Sequence, residues 1–241
     1  STTTHKPGLN SQRVAATTSF FVQHLASPTA GSSTDTYQVT DYTATWDALY
    51  LAMADIYDMR QKGIEEGASD YVGVANILMS YHLSLVTDLW GDAPYTEAFN
   101  NSTLTPGFDS EEALYAEALR LLDEGIAELQ KTDSKVVLDG DNDLIHGGNK
   151  AEWIKTANAF KARLLNKISK QSSYDPAAVL SAVENSYKSN AEDAEMEVFA
   201  LRNPWAEVAR SNASLILGGW LSEQLVSHLN GTTYGVVDPR I

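Results

Sequence analysis

The sequence predicts an all-α protein built from helical hairpins joined by irregular loops. Three observations carry that prediction. Apolar residues return at spacings of three, four and seven along most of the chain. Alternating strand patterns are nearly absent. The chain has 241 residues, 43% hydrophobic content and no cysteine, enough for a core that needs no disulfide.

The elements follow in order. Residues 9–25 carry Val14, Phe20, Phe21 and Leu25 at a broken helical spacing, and the polar stretch "SPTAGSSTDTYQVTDYTAT" then reads as a loop. A second helix sets Trp46, Leu49, Tyr50, Met53, Ile56 and Tyr57 on one face, and "GIEEGAS" is expected to break it. Residues 70–90 repeat the pattern with Val74, Ile77, Leu78, Tyr81, Leu85 and Leu89, so the two helices form an antiparallel hairpin. Trp46, Leu49 and Tyr50 faintly echo the start of a tetratricopeptide pair, although no second copy returns at a fixed period.

"DLWGDAPYTEAF" ends that hairpin. Gly91 is expected to take a positive φ and stop the helix after Trp90, Asp92 to cap, and Pro94 to fix an extended exit. Asp109 or Ser110 then opens a helix with acids in its first turn and Leu114, Ala118, Leu121, Leu122 and Leu129 as its buried stripe. Asn149 caps another helix, with Glu152 at capping-box spacing and Trp153, Ile154, Ala157, Phe160, Leu164 and Ile168 facing inward. Pro176 sits in the first turn of the next. Residues 190–211 read as irregular, and "ASLILGGWLSEQLVSHL" as the last helix.

Charge and motifs exclude several functions. Acids outnumber bases 32 to 17, a net charge of -15, and no basic cluster is present to neutralise phosphates or dock on an anionic membrane. The run 215–221 is too short to cross a bilayer. No nucleophile elbow, phosphate loop or dinucleotide fingerprint occurs, and the five histidines are scattered. Asp139, Asp141 and Asp143 begin like a calcium loop, but the sixth position is Leu144 and the twelfth Lys150. A solvated turn leading to Asn149 is the expectation, with calcium as the lesser alternative. The paired acids, such as Glu65–Glu66 and Glu111–Glu112, read as solvated faces rather than a buried catalytic couple.

"DLWGDAPYTEAF" resembles the Trp-Gly-Asp-x-Pro-Tyr motif of the SusD/RagB family of outer-membrane lipoproteins. "FVQHLA", "TATWDALYLAMADIYDM", "HGGNKAEWIKTANAFKARLLNKIS" and "DPRI" follow the order found in its SusD-like branch, so the resemblance runs along almost the whole chain. Family members begin at a lipidated cysteine and continue past the Asp-Pro-Arg segment. The resemblance therefore implies that 1–241 is one SusD-like all-α domain, of helical hairpins of tetratricopeptide-like type with irregular loops, with the anchor and a C-terminal portion outside this sequence. It implies a non-catalytic protein of the outer membrane's cell surface, without cofactor, that caps a SusC-like TonB-dependent transporter and delivers captured oligosaccharide, or in some relatives peptide. The turn is expected to hold the scaffold rather than touch ligand.

Aromatic residues are the remaining lever for carbohydrate, because a sugar ring stacks an apolar face on Trp or Tyr while its hydroxyls pair with polar groups. Trp46, Trp90 and Trp153 fall on apolar faces and read as core. Tyr37, Gln38, Asp41 and Tyr42 in the polar loop, with Arg202, Asn203 and Trp205, form the expected ligand-binding set. A helical glycoside hydrolase and a tetratricopeptide-like protein adaptor are the alternatives from other classes.

Overall fold

The computed structural model describes residues 6–27, 36–199, 202–213 and 220–240. Two compact units make up the chain: Ser1–Pro7 with Trp46–Glu197, and Gly8–Thr45 with Val198–Ile241. Its helices are α1 (Lys6–Phe21), α2 (Thr43–Glu66), α3 (Ser69–Trp90), α4 (Glu111–Gln130), α5 (Lys150–Lys167), α6 (Pro176–Glu184), α7 (Pro204–Ala213) and α8 (Glu223–Leu229). Two strands of two residues each, β1 (Leu25–Ala26) and β2 (Trp220–Leu221), pair antiparallel.

The first unit is an array of antiparallel helices. Gly63 packs on Val72, Arg60 Nε donates to Asn76 Oδ1 at 2.7 Å, and Trp46 meets Trp90, so contacts diverge symmetrically from the α2–α3 turn. α3 and α4 repeat the arrangement, with Gly73 against Gly125 and the Ser80 hydroxyl donating to the Ala118 carbonyl at 2.7 Å. Lys161 of α5 pairs with Asp123 of α4. Tyr81 of α3 stacks on Phe160 of α5 at 5.2 Å. Leu49, Met53, Ile56, Ile77, Leu83, Leu121, Leu122 and Trp153 are each at most 1% exposed and form the core. α3 is long and apolar enough to span a bilayer, but 78% of its most apolar stretch is buried, as befits a central core helix.

Several boundaries differ from the sequence expectation. α2 runs through Gly63, because a Cβ there would come within 2.9 Å of Val72; this glycine serves close packing. The stop comes at Gly67, φ +68, where Gly67 N–H bonds Ile64 O and Ala68 N–H bonds Gly63 O, a Schellman closure. Ser110 caps α4 through Ala113 N–H, and Asp175 caps α6 ahead of Pro176. Asn149 caps α5 through the N–H groups of Ala151 and Glu152. Glu152 does not complete the capping box; its carboxylate pairs with Lys155 while the Asn149 N–H bonds the His146 carbonyl. Residues 204–211, expected to be irregular, belong to α7. The last helix covers only 223–229, and the part of its expected span at 214–219 lies outside the described residues, as does most of the run 215–221.

His82 of α3 is completely buried. Its Nδ1 lies 2.8 Å from the Leu78 carbonyl, which can only accept, so Nδ1 carries the proton and Nε2 is left without a partner. Burial lowers its pKa to about 4, against the Leu78 bond, with the Lys6 charge adding to the depression. The unfolded chain binds a proton near pH 6.5 that the folded chain refuses. Stability is therefore whole above pH 6.5 and falls as pH drops toward 4, by about 3 kcal/mol. Thermal unfolding from pH 7 to 4 should show this fall, and His82→Gln should flatten it; equal slopes in both proteins would contradict the assignment.

Candidate functional site

All seven residues of the predicted ligand set lie in the second unit. Tyr37 is 56% exposed, adopts φ +54, and donates its hydroxyl to the Phe21 carbonyl at 3.1 Å. Phe21 anchors the loop: its ring lies 5.9 Å from that of Tyr37 and 6.3 Å from that of Tyr42. Gln38 is exposed. The Asp41 carboxylate accepts from the Thr43 hydroxyl at 2.6 Å and the Thr43 N–H at 2.8 Å, bonds that lower its pKa and tie it to the start of α2. Asn203 caps α7 by accepting from Trp205 N–H at 2.8 Å, and Arg202 pairs with Glu207 at 3.0 Å. Trp205, in the first turn of α7, is 43% exposed. The structure thus brings Tyr37 and Tyr42 together around Phe21 and sets Arg202, Asn203 and Trp205 side by side. Among the described residues no hydrogen bond or ring contact joins the two groups.

The turn "DLWGDAPYTEAF" builds a second feature, in the helical unit. Gly91 takes φ +74 and ends α3, with its N–H on Thr87 O at 2.9 Å. Asp92 reaches across to accept the Glu111 N–H at 2.8 Å, capping α4. Ala93 and Asp109 exchange both backbone bonds at 3.1 Å. The Asp109 carboxylate accepts from Tyr95 N–H, Thr96 N–H and the Thr96 hydroxyl at 2.7–2.9 Å. Burial alone would raise the Asp109 pKa, but these donors from Thr96 and Tyr95 outweigh it and lower the value, keeping the group ionised.

The tightened turn lays its aromatics against α2. Trp90 meets Trp46 edge-on at 5.0 Å, Trp46 stacks on Tyr50 at 4.5 Å, and Phe99 stacks on both Tyr50 and Tyr57 at 28°. Tyr95 meets Phe99 edge-on. Trp153 is core as expected, but Trp46 and Trp90 are only half-buried, because this row lies at the edge of the array. Tyr57, Tyr95, Phe99, Asn100, Asp109 and Glu117 line a cleft of about 380 Å³. The sequence does not reveal this cleft, because spacing assigns Tyr57 to a core face and the family resemblance assigns the turn to the scaffold. A second groove, about 550 Å³, runs along α2 past Asp55, Asp58, Lys62 and Glu66 to Tyr71 and Val136.

The segment holding Asp139, Asp141 and Asp143 does not fit calcium. Asp143 is buried at 6% exposure, and its carboxylate accepts from the N–H groups of Ile145, His146 and Gly148 and from Trp153 Nε1. Asp139 accepts from Asp141 N–H and the Asn142 amide. Their oxygens organise the turn, and no group of three acidic or histidine ligands converges among the described residues.

An antiparallel helical array with an aromatic-rich turn and exposed loop aromatics defines the class, and comparison with known proteins gives the family. A model of the SusD-like family, described as "Starch-binding associating with outer membrane", matches residues 3–241, and the chain belongs to that family. No curated protein matches. Among solved structures, a SusD/RagB family protein from Bacteroides thetaiotaomicron is similar at 20% identity and TM-score 0.81, covering 97% of this chain and 52% of that one. A chitin-binding SusD homolog from Flavobacterium johnsoniae is similar at 22% identity and TM-score 0.80, covering 99% and 52%. Another SusD-like protein from Bacteroides thetaiotaomicron gives 20%, TM-score 0.78, and coverage of 100% and 51%. These likenesses establish the fold. The chain spans about half the length of these solved relatives.

Proposed function

We propose that this chain belongs to a non-catalytic, lipid-anchored protein of the outer cell surface that captures oligosaccharide and passes it to a SusC-like TonB-dependent transporter. The family match over residues 3–241, with its description as starch-binding and outer-membrane-associated, carries the reading. The chitin-binding homolog adds a second glycan to the chemistry handled by this fold. Tyr37, Gln38, Asp41, Tyr42, Arg202, Asn203 and Trp205 are the proposed contact set, and the exposure of Tyr37 and Trp205 supports it. Asn203 holds the backbone of Trp205, and Asp41 ties the loop to Thr43. Carboxylate chemistry favours binding over hydrolysis: Asp109 is held ionised by N–H and hydroxyl donors, so it is not the raised-pKa acid a glycosidase uses.

The full-length protein, screened on a glycan array beside a peptide panel, is expected to bind neutral glycans, release no reducing sugar, and co-purify with a large outer-membrane barrel. Peptide binding alone, or sugar release, would overturn the reading. Tyr37→Ala with Trp205→Ala should weaken glycan binding at least tenfold, since each removes an exposed stacking ring, with little change in thermal stability. Unchanged affinity in a titration would discard the contact set.

A further inference from the structure

The cleft beside the Trp90–Phe99 turn has the chemistry of a sugar site in its own right. Its volume, about 380 Å³, falls at the lower end of the about 300–1,000 Å³ typical of small-molecule pockets. Tyr57, Tyr95 and Phe99 are all half-buried rings that keep part of their surface open. Phe99 is fixed by stacking between Tyr50 and Tyr57, and Tyr95 by its edge against Phe99, so the platform is rigid before any ligand arrives. The three tyrosine hydroxyls differ. Tyr50 donates to the Pro94 carbonyl at 2.8 Å and Tyr95 to Glu117 at 3.3 Å, whereas Tyr57 makes no hydrogen bond among the described residues. A free phenol at the edge of an aromatic platform can both donate to and accept from a sugar hydroxyl.

The charged lining is of one sign. Asp109 and Glu117 are both carboxylates, and Asp109 is held ionised. Two cations lie nearby, and both are committed: Arg120 to Glu117 through two nitrogens at 2.6 and 2.7 Å and to Glu124 through a third, and Arg60 to Asn76 at 2.7 Å and Glu124 at 3.6 Å. The lining therefore offers acceptors to hydroxyl groups and like-charge repulsion to an anion.

We propose that this cleft is a second saccharide subsite, separate from the loop set, which takes an uncharged pyranose residue and rejects a uronate. The inference rests on the reading that the ligand is a glycan.

Calorimetric titration of the full-length protein with maltohexaose, N-acetylchitohexaose and hexagalacturonate tests it. With Tyr37 and Trp205 both replaced by alanine, at least one neutral probe should still bind. Adding Phe99→Leu to that background should weaken the remaining binding about tenfold. Tyr57→Phe, which keeps the packing and removes only the open hydroxyl, should weaken it several-fold. Glu117→Gln should narrow the preference for neutral probe over hexagalacturonate about tenfold. If the loop substitutions alone abolish binding, or if Phe99→Leu and Tyr57→Phe leave affinity unchanged at wild-type melting temperature, the subsite is refuted and the general reading stands. If the wild-type protein binds neither neutral probe and no glycan on the array, both fail together.

Discussion

Replacing Trp153 with alanine is expected to lower the free energy of unfolding by about 4 kcal/mol. The side chain is 1% exposed, so its removal leaves a cavity between α5 and the turn at 143–146 that a fixed backbone fills only in part. A second loss is added. Trp153 Nε1 donates to Asp143 Oδ2 at 2.7 Å, one of four N–H groups that satisfy this buried side chain, and its loss leaves an acceptor unpaired. The His146 ring, edge-on to the indole at 5.0 Å, loses its wall as well. Trp153→Phe separates the two contributions, since it retains much of the volume and loses the donor, and should cost about 2 kcal/mol. Urea unfolding followed by circular dichroism gives both values; the midpoint should fall while the slope stays constant. An alanine variant within 1 kcal/mol of wild type would mean that the α5 face is not packed as described.

Gly73→Ala should destabilise by about 3 kcal/mol, the opposite of what helix propensity predicts. In an unhindered helix alanine is favoured over glycine by about 1 kcal/mol, so the sign of the measured change decides. A Cβ on Gly73 would lie 2.6 Å from Leu129 Cγ and 2.9 Å from the Gly125 carbonyl oxygen. The leucine can rotate away, but the carbonyl belongs to α4 and yields only if the helices part. A Cβ on Gly125 would in turn lie 3.0 Å from the Gly73 carbonyl and 2.9 Å from Ile77 Cγ1. Once one alanine has separated α3 from α4, the second meets less resistance, so the double variant should cost less than the two single changes together. Full additivity in a double-mutant cycle would show that the two glycines do not face each other.

Much of this architecture was legible because the signals are local. Ser110 and Asn149 announce helix starts by side-chain chemistry, Pro176 by its fixed φ, and Gly91 announces an end. α7 is hard to read although Asn203 and Pro204 form a cap and first turn, because its apolar stripe is short, with Trp205, Val208 and Ala209 inside ten residues. β1 and β2 could not be read: two residues each, paired across nearly the whole chain, they have no periodicity. At the candidate sites, the exposure of Tyr37 and Trp205 follows from polar or irregular surroundings, whereas the cleft was hidden. Tyr50 and Tyr57 share a helical face with Leu49, Met53 and Ile56, and spacing reports which face a residue occupies, not how deep it sits. Only the return of Phe99 from a distant turn converts that face into a rim.

The loop between α3 and α4 is closed at its neck: Asp92 holds Glu111, Ala93 is bonded to Asp109, and Asp109 grips Tyr95 and Thr96. Leu104, near its apex, is fully exposed. Closure this complete makes the tip of the loop a cassette, set beyond the residues at 94–99 that pack on the helices. Lengthening a closed loop costs only slowly increasing entropy, so evolution can rewrite or extend residues 101–106 while the helical frame stays unaltered. Relatives sharing the frame are therefore free to diverge in reach and shape at this projection, and a graft placed there would leave the aromatic row behind it in register.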